Sequence, residues 1–306
     1  MSVRVAIVTP VHNRRETTLL CLKSLSRIEN EGIETAVFIV DDGSTDGTAD
    51  AIRKNFPDAN VISGNGELWF TEGTNVGVRE ALKWNPDYVL MINDDTVFDP
   101  GLLKGMVGTA VKNPRSVVGA LLLLWDTPHK VFQVSPEWSV VAGGWRHWQH
   151  QTVWTVPKKP WNVDLIVGNC VLVPVAAILE SGFMDSKRYP NFGDAEYTPR
   201  LKRAGWKLLI DPAARAFCQP NTVPVRLRSL GFMEKLNALF VDLGHIHNLR
   251  RRYYACTDGG PSYIEGVAAF AMFLLRLVFR KNIESAWAAT LVEPPLSKRF
   301  SDSVVN

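Results

Sequence analysis

Short apolar runs alternate with amphipathic stretches through the first 125 residues. Runs of apolar and β-branched residues with the length of buried strands occur at 3–8, 35–40, 60–63, 87–92 and 117–124. Between them, apolar residues recur at helical spacing at 16–28, 48–55, 73–84 and 101–112. Strands that alternate with helices predict an α/β fold, in which helices cover both faces of a mostly parallel central sheet.

The pattern changes after residue 125. Tryptophan is concentrated between residues 125 and 161, where short alternating runs predict antiparallel strands or long loops. Residues 163–173 predict a further strand, and residues 195–204 predict a helix that Gly205 closes. From about residue 223 the chain is basic and helical in pattern. We therefore expect one domain over 1–222, with halves 1–125 and 126–222, and a helical C-terminal extension over 223–306.

Composition narrows the class of protein. Of the 306 residues, 46% are hydrophobic and 21% are charged, as in ordinary folded globular proteins. The net charge of +3 is too small to predict nucleic-acid binding. The four cysteines form no C-x-x-C pair, which favours reduced thiols in a cytosolic protein. The first residues predict a strand rather than a signal peptide, and the apolar run 266–279 is interrupted by Arg276 and too short to span a membrane.

Two adjacent carboxylates follow the fourth predicted strand, in the segment MINDDT at 91–96. Asp94 and Asp95 would repel each other and lose hydration there unless a positive group lies beside them. A divalent cation, a lysine or a loop open to water would each resolve the conflict. A hard cation such as Mg²⁺ or Mn²⁺ takes one or two carboxylates together with substrate phosphates.

The segment DDGSTDGT at 41–48 lies where the second predicted strand gives way to a helix. Its glycines and its later polar residues are typical of a turn with a helix cap. Asp41 and Asp42 come first, at the carboxyl end of a parallel strand, where open α/β sheets bind ligands. A carboxylate there can accept hydrogen bonds from a base or from ribose hydroxyls.

The usual phosphate-binding loops are missing. The first strand-to-helix turn, TPVHNRRE at 9–16, contains no glycine, which excludes both G-x-G-x-x-G and the P-loop. The glycines of GNGELWFTEG at 64–73 have the wrong spacing. A metal bound at residues 94–95 would then be the natural way to neutralise a diphosphate.

Acidic residues also begin the predicted helix near residue 195. Asp194 and Glu196 suit a helix N-terminus, where acids favour the dipole and Arg200 lies one turn away as an ion-pair partner. Asp194 follows the glycine-containing segment NFG, so it can reach into a cleft. There it would act as a general base if a substrate hydroxyl lay within hydrogen-bond reach.

In combination, these segments resemble glycosyltransferase family 2, the inverting nucleotide-sugar transferases, and especially its rhamnosyltransferase-like and galactofuranosyltransferase-like members. In the family's order, the matching segments are IVTPVHNR, VDDGSTDGT, GNGELWFTEGTNVGV, NDDT, VDLIVGNCVLVP and FGDAEYTPRLKRAG, within residues 3–218. The resemblance implies the GT-A fold. Residues 1–222 would be the catalytic domain, with a nucleotide-binding half (1–125) and an acceptor-binding half (126–222).

The resemblance also implies a role for each matching position. Asp194 would be the catalytic base. Asp95 would bind a divalent cation, Mg²⁺ or Mn²⁺, in the family's D-x-D region, whose first acid is Asn93 here. Glu196 would assist acceptor binding, and Trp69 is a candidate contact on the donor or acceptor side because an indole face packs on a sugar ring. The positions expected to contact the nucleotide or donor sugar are Thr9, Pro10, Asp41, Asp42, Asn75, Asp94, Gly168 and Asn169.

One position departs from the family. The family often has a histidine as a further metal ligand some 24 residues after the base, and this chain has Cys218 there, a poor ligand for Mg²⁺. Either the metal has fewer protein ligands, or another residue such as His245 or His247 reaches the site. His12 is expected to support its loop rather than to bind metal.

The expected activity is transfer of a hexosyl or deoxyhexosyl group from a UDP- or dTDP-sugar to a hydroxyl of a glycan or lipid-linked acceptor, in polysaccharide or cell-envelope biosynthesis. A carbohydrate-binding scaffold with the same fold is the alternative. A sugar-phosphate nucleotidyltransferase is disfavoured because the first turn lacks a glycine-rich basic loop. The basic, partly apolar region 226–281 predicts contact with the inner face of the membrane, a helical cap or a homodimer contact.

Overall fold

The structure, a computed structural model, describes residues 2–133, 137–146, 151–219, 227–245 and 247–279. The strands are β1 (Val3–Val11), β2 (Ile33–Asp41), β3 (Asn60–Ser63), β4 (Tyr88–Ile92), β5 (Thr96–Phe98), β6 (Ser116–Leu124), β7 (Val131–Gln133), β8 (Glu137–Ser139), β9 (Gly144–Arg146), β10 (Trp161–Asn162), β11 (Cys170–Pro174) and β12 (Lys207–Cys218). The helices are α1 (Arg15–Leu25), α2 (Thr48–Asn55), α3 (Trp69–Leu82), α4 (Leu102–Lys112), α5 (Val175–Ser181), α6 (Asp194–Arg203), α7 (Phe232–Leu236), α8 (Leu249–Thr257) and α9 (Tyr263–Phe279).

The main sheet confirms the predicted α/β class. Within the described residues its order is β10-β12-β6-β11-β4-β1-β2-β3, with β5 beside β12 and β7 beside β6. The pairs β1–β2, β1–β4, β2–β3 and β6–β12 are parallel. Alternate residues of each strand therefore face opposite layers of helices. For example, Val8 belongs to a core cluster with Val78 of α3, and Ile7 to the opposite cluster with Met106 of α4.

Strand β11 is shorter than the sequence predicted, and it runs antiparallel to both of its neighbours. Of the predicted strand 163–173, only residues 170–173 lie in β11, which continues to Pro174 and pairs with β4 and β6. The preceding residues contact α6 instead, where the hydroxyl of Thr198 accepts a hydrogen bond from the Ile166 amide at 3.1 Å. Because β11 is antiparallel, its amino end lies beside the carboxyl end of β4, with Cys170 opposite Ile92.

The C-terminal extension docks on the rest of the chain through α8 and the turn after it. Arg188 and the hydroxyl of Tyr189 both donate hydrogen bonds to the Asp258 carboxylate, at 2.9 and 3.0 Å. Arg252 donates to the Gly143 carbonyl at 2.7 Å, and Arg203 donates to the Gly260 carbonyl at 3.0 Å. Helix α8 is therefore a cap on the 189–203 region. Among the described residues, no helix combines the length and the hydropathy that crossing a bilayer requires.

Candidate active site

Three polar segments meet at the carboxyl edge of the sheet. Strands β1, β2 and β4 are neighbours and parallel, with Val11 opposite Asp41 and Val8 opposite Met91. The segments that follow these strands therefore lie side by side. The amino end of β11 reaches the same edge and adds Gly168 and Asn169. The sheet thus brings most of the predicted site positions to one side of the molecule.

Asp42 organises the loop 64–69. Its two carboxylate oxygens accept hydrogen bonds from the amides of Gly66, Leu68 and Trp69 at 2.7, 2.9 and 3.0 Å. A side chain at Gly64 would place a Cβ 2.6 Å from this carboxylate, so glycine is required for the close approach. The nearby Asp41 carboxylate accepts from the Ser44 amide at 3.1 Å. Base recognition by these two residues stays a prediction, and their observed partners are backbone amides.

His12 supports the same loop. Its Nδ1 lies 2.5 Å from the Asp42 carbonyl oxygen, which can only accept, so Nδ1 is the protonated nitrogen. Its Nε2 lies 3.0 Å from the side-chain amide of Asn13, which donates to it. The Asn13 side-chain oxygen in turn accepts from the Thr45 amide at 2.8 Å. This network links the ends of β1 and β2.

An arginine lies beside the acidic pair at the end of β4. One Nη of Arg14 is 3.3 Å from Asp94 and 3.0 Å from Asp95. The Thr18 hydroxyl also donates to Asp94, at 3.2 Å. Burial raises the pKa of Asp94 to about 6; the Arg14 charge opposes that rise and the Asp95 charge adds to it. The chain itself therefore supplies part of the positive charge that the pair needs.

The donor set at this strand end fits a hard cation. One carboxylate oxygen of Asp95 and the side-chain oxygen of Asn93 are buried and make no hydrogen bond within the described residues. Oxygen donors of this kind suit Mg²⁺ or Mn²⁺ that takes its remaining ligands from phosphate and water. Within the described residues, His, Cys, Asp and Glu side chains form no cluster of three or more that could hold a metal by itself. A cation here would therefore depend on the substrate for much of its coordination.

Neither alternative ligand set from the sequence completes such a cluster. Cys218 is buried 3.8 Å from the Thr96 hydroxyl, and burial raises the pKa of its thiol to about 12. A neutral thiol is a poor ligand for a hard cation. His245 and His247 contact each other, with ring centroids 5.5 Å apart, and the His247 amide donates to the His245 ring at 3.2 Å. They lie in the C-terminal extension, next to Gly244.

Asp194 begins helix α6 and is linked through two residues to the NDD segment at the end of β4. Its carboxylate accepts a hydrogen bond from the Gly168 amide at 2.9 Å. The next residue, Asn169, accepts from the Asn93 amide at 3.1 Å through its carbonyl. Burial raises the pKa of Asp194, whereas hydrogen bonds from backbone amides and the charge of Arg251 lower it. Two consecutive residues, Gly168 and Asn169, therefore link Asp194 to the NDD segment.

Glu196 faces a different part of the molecule. It lies two residues after Asp194, about 200° around the helix. Its carboxylate accepts two hydrogen bonds from Arg200, at 2.5 and 3.2 Å. It also lines a polar cavity of about 350 Å³ with Arg203, Asp258 and residues of the turn after α8. The structure thus gives Glu196 the ion pair that helical spacing allowed, and it separates the Glu196 carboxylate from that of Asp194.

The remaining predicted positions lie close to the edge of the sheet. Thr9 is fully buried in β1, and a Cβ at Gly73 would lie 2.8 Å from Pro10, so helix α3 packs tightly on this strand. The Asn75 side chain donates to the Met184 carbonyl at 2.9 Å and accepts from the Met184 amide at 3.1 Å. That pair of bonds ties α3 to the segment before α6. Ribose or diphosphate contact by Asn75 stays a prediction.

Two aromatic residues at the cleft have left-handed backbone conformations. Trp69 has φ 58° and Phe192 has φ 69°, and both side chains are about half exposed. Such φ values are rare for bulky residues and are typical of functional sites that tolerate strain. Arg251 of α8 stacks on Phe192, 3.8 Å from the ring centroid. Sequence reasoning did not single out Arg14, Phe192 or Arg251; the only signal was the abundance of arginine near residue 251.

The chain is similar in sequence to known glycosyltransferases. Residues 6–138 match the family Glycosyl transferase family 2. The N-acetylglucosaminyl-diphospho-decaprenol L-rhamnosyltransferases of Mycobacterium tuberculosis strains CDC 1551 / Oshkosh and ATCC 25618 / H37Rv are 25% identical to it over 202 residues. That match covers 58% of this chain and 64% of each relative, so the chain spans less than two thirds of the relatives' length.

Solved glycosyltransferases share the fold. GalNAc-T7 with UDP, GalNAc and Mn²⁺ aligns with a TM-score of 0.59 at 12% identity, over 96% of this chain and 59% of that chain. The mannosyltransferase PcManGT from Pyrobaculum calidifontis, in complex with GDP-Man and Mn²⁺, gives a TM-score of 0.52 at 14% identity, over 94% and 78%. S. aureus TarS 1-349 gives 0.55 at 13% identity, over 94% and 76%.

Together, the sheet topology and these likenesses define a GT-A fold. The resemblance seen in the sequence segments is confirmed as well. Residues 6–138 match glycosyltransferase family 2, and the mycobacterial rhamnosyltransferases are similar over 58% of the chain.

Proposed function

We propose that this protein is an inverting glycosyltransferase that moves a sugar from a nucleoside-diphosphate sugar to a hydroxyl of a glycan or lipid-linked acceptor. The position of Asp194 carries the proposal. Its carboxylate is partly buried, accepts a hydrogen bond from the Gly168 amide at 2.9 Å and is linked through Gly168 and Asn169 to the NDD segment. Burial that raises the pKa of a carboxylate brings it closer to the operating pH, as a general base requires.

In the proposed step, the acceptor oxygen attacks the anomeric carbon from the face opposite the diphosphate. Asp194 takes the proton of the acceptor hydroxyl as the new carbon–oxygen bond forms. The bond to the diphosphate oxygen breaks, and its electron pair leaves with the diphosphate. One displacement inverts the anomeric configuration, so no covalent enzyme intermediate and no protein nucleophile are needed.

Asp95 would hold a divalent cation, Mg²⁺ or Mn²⁺, with Asp94 beside it. When bound, such a cation supplies Lewis-acid stabilisation of the leaving diphosphate. Two similar solved structures, GalNAc-T7 and PcManGT, are complexes with Mn²⁺. Transfer should stop in EDTA and return with Mn²⁺ or Mg²⁺. Transfer that continues at the same rate after EDTA treatment would contradict the cation's role.

The substrates are proposed by analogy with the relatives. The mycobacterial proteins are named for L-rhamnose transfer to an N-acetylglucosaminyl-diphospholipid. We infer a UDP- or dTDP-sugar as donor and a glycan or lipid-linked saccharide as acceptor. Residues 1–222 would form the catalytic domain, and 223–306 the extension that α8 docks on it.

Contact with the inner face of a membrane would suit a lipid-linked acceptor. Phe232, Met233, Phe240 and Val241 are between 57% and 74% exposed, in and just after α7. Exposed apolar residues beside basic ones favour shallow insertion at an anionic bilayer surface. Liposome flotation should weaken when Phe232 and Phe240 are changed to serine. It should not weaken for Leu179→Ser on α5, which is 73% exposed. Equal flotation of both variants would count against this surface.

Replacement of the base tests the central proposal. Asp194→Asn should lower kcat by roughly 10²- to 10⁴-fold, because general-base catalysis contributes that much. Nucleoside-diphosphate affinity should stay near the wild-type value, since the nucleotide is proposed to bind at the strand ends. Asp50→Asn is the control, because the Asp50 side chain is 91% exposed on α2. Wild-type turnover in Asp194→Asn would show that the base is another residue.

A further inference from the structure

Arg251 reaches the active site from the C-terminal extension and is fixed there on several sides. Its backbone amide donates to the Asn248 side chain at 2.9 Å, which caps helix α8. Its guanidinium lies 3.8 Å from the centroid of the Phe192 ring and donates to the Gly244 carbonyl at 3.1 Å. Helix α8 therefore positions one specific member of the Arg250–Arg252 triplet at the cleft.

The guanidinium lies close enough to Asp194 for their charges to interact. Burial lowers the pKa of Arg251 to about 10, and the Asp194 charge opposes this most strongly. Asp242 and Arg252 are the other charges that act on Arg251, and Arg251 is the charge that acts on Asp194. Within the described residues, no hydrogen bond joins the Arg251 guanidinium to the Asp194 carboxylate. Arg251 is thus a cation at neutral pH that is near the base but not paired with it.

Most N–H donors of the Arg251 guanidinium have no hydrogen-bond acceptor among the described residues. Arginine carries five N–H donors, and within the described residues the Gly244 carbonyl accepts the one hydrogen bond that the Arg251 side chain makes. A partly desolvated, oriented guanidinium is well suited to bind a phosphate through two parallel hydrogen bonds. The fold has no glycine-rich phosphate loop in its first turn. A phosphate on a substrate can therefore take a cationic side chain as a partner in addition to the cation proposed at Asp95.

The backbone around Arg251 gives an independent indication of function. Phe192, the platform for its guanidinium, has φ 69° although it is a bulky residue, and its ring is 48% exposed. On the other side of the cleft, Trp69 has φ 58°, and its ring lies 3.8 Å from a Cβ built on Gly244. Strain of this kind persists where surrounding structure enforces it, and it is concentrated at ligand sites. The two strained aromatic residues flank the segment that holds Arg251.

We propose that Arg251 is an active-site residue whose guanidinium binds a phosphate group of a substrate beside Asp194. This inference rests on the proposed function. The phosphate belongs either to the donor's diphosphate or to a phosphate-bearing acceptor, and the two sources are separated by experiment. In either case, the C-terminal extension completes the active site.

The test compares three variants of the full chain. Arg251→Gln removes the charge, and Arg251→Lys keeps the charge but loses the planar guanidinium. Arg250→Gln is the matched control, because Arg250 is exposed on the same helix and contacts the Tyr254 hydroxyl at 2.9 Å. Calorimetry would measure the binding of pyrophosphate, UDP, dTDP and GDP. Transfer kinetics would use two acceptors with the same sugar: a short-chain diphospholipid and an octyl glycoside without phosphate.

If the donor supplies the phosphate, Arg251→Gln should weaken nucleoside-diphosphate binding by about ten- to a hundredfold. If the acceptor supplies it, KM should rise by a similar factor for the diphospholipid and stay unchanged for the glycoside. In both cases the acid limb of the kcat profile should move to higher pH in Arg251→Gln, because Asp194 loses a nearby cation. Arg251→Lys should restore the acid limb while phosphate binding stays weak, a separation that a purely structural role would not produce.

Wild-type values in Arg251→Gln for diphosphate binding, for both acceptor KM values and for the acid limb would overturn the inference. So would a wild-type protein that binds neither pyrophosphate, nor any of these nucleotides, nor the diphospholipid. If Arg251→Gln fails to fold, Arg251→Lys decides by the same measurements. Failure of the proposed function looks different. A wild-type protein that binds a nucleoside diphosphate but transfers no sugar would refute the activity, and the phosphate comparison would still decide the role of Arg251.

Discussion

Gly168→Ala would move the carboxylate of Asp194, the proposed base, without changing its chemistry. A Cβ on Gly168 would lie 2.8 Å from Cβ and 3.0 Å from Cγ of Asp194, where ordinary contacts begin at 3.4 Å. The shortfall of 0.6 Å at the Asp194 Cβ falls on an atom fixed to the backbone of α6, so rotation of the side chain cannot relieve it. The φ angle of Gly168 lies outside the left-handed region, so alanine brings no backbone strain of its own. The carboxylate must therefore shift by roughly half an ångström or more.

A displacement of 1 Å can cost about a hundredfold in rate, so kcat of Gly168→Ala should fall roughly ten- to a hundredfold. Overpacking should also lower the free energy of unfolding by about 1–3 kcal/mol. Nucleoside-diphosphate affinity should stay within about twofold of wild type, by calorimetry. Gly108→Ala on α4 is the matched control, because its Cβ would have no neighbour within 4 Å. It should leave kcat unchanged and raise stability by about 0.4–1 kcal/mol. A Gly168→Ala enzyme that loses stability but keeps wild-type kcat would refute the assignment of Asp194.

Two further substitutions test the electrostatics of the strand ends. The pKa of Asp94 is about 6 in the folded protein, compared with 3.8 ordinarily, so the folded state binds the proton more tightly. The free energy of unfolding is therefore highest below the ordinary pKa and falls as the pH rises through 6. Asp94→Asn should therefore be about 3 kcal/mol more stable than wild type at pH 8 and equal to it at about pH 3, by urea unfolding in EDTA. A pH-independent difference would contradict this origin. Asp42→Asn replaces an acceptor of three amide hydrogen bonds, so unfolding free energy should fall by about 2–3 kcal/mol and proteolysis within 64–69 should accelerate. Unchanged proteolysis would mean that other contacts hold the loop.

The strands were the most predictable part of the fold. The runs that became β1, β2 and β4 are apolar throughout because both faces of the sheet are covered, and that signal is local. The run 163–173 is equally apolar, yet only its last part pairs as a strand. The amides of Ile166 and Gly168 donate to side chains of α6, whereas the Val163 amide donates to the Leu208 carbonyl of β12. Local hydrophobicity cannot distinguish burial against a helix from burial in a sheet.

The sequence indicated the acidic residues of the candidate site but not the arginines that lie beside them. The repulsion between Asp94 and Asp95 indicated that a positive group must lie near them. That this group is Arg14, 80 residues from Asp94 in sequence, depends on how β1 and β4 pair. Helical spacing did predict the partner of Glu196, because its position on α6 directs its carboxylate to Arg200 and away from Asp194. Arg251 is one of three consecutive arginines, so its position depends on the rotation of α8 about its axis. Each of these outcomes is set by tertiary geometry that spacing alone does not encode.

The direction of strand β11 affects how the distance between Asp194 and the NDD segment is fixed. Since β11 runs antiparallel to its neighbours, the two residues before it join the proposed base to the proposed diphosphate side, through Gly168 to Asp194 and through Asn169 to Asn93. If these roles hold, the distance between base and diphosphate is set by the spacing of the strands rather than by the closing of a lid. Mutations that loosen β11 should therefore harm catalysis before they harm affinity for either substrate.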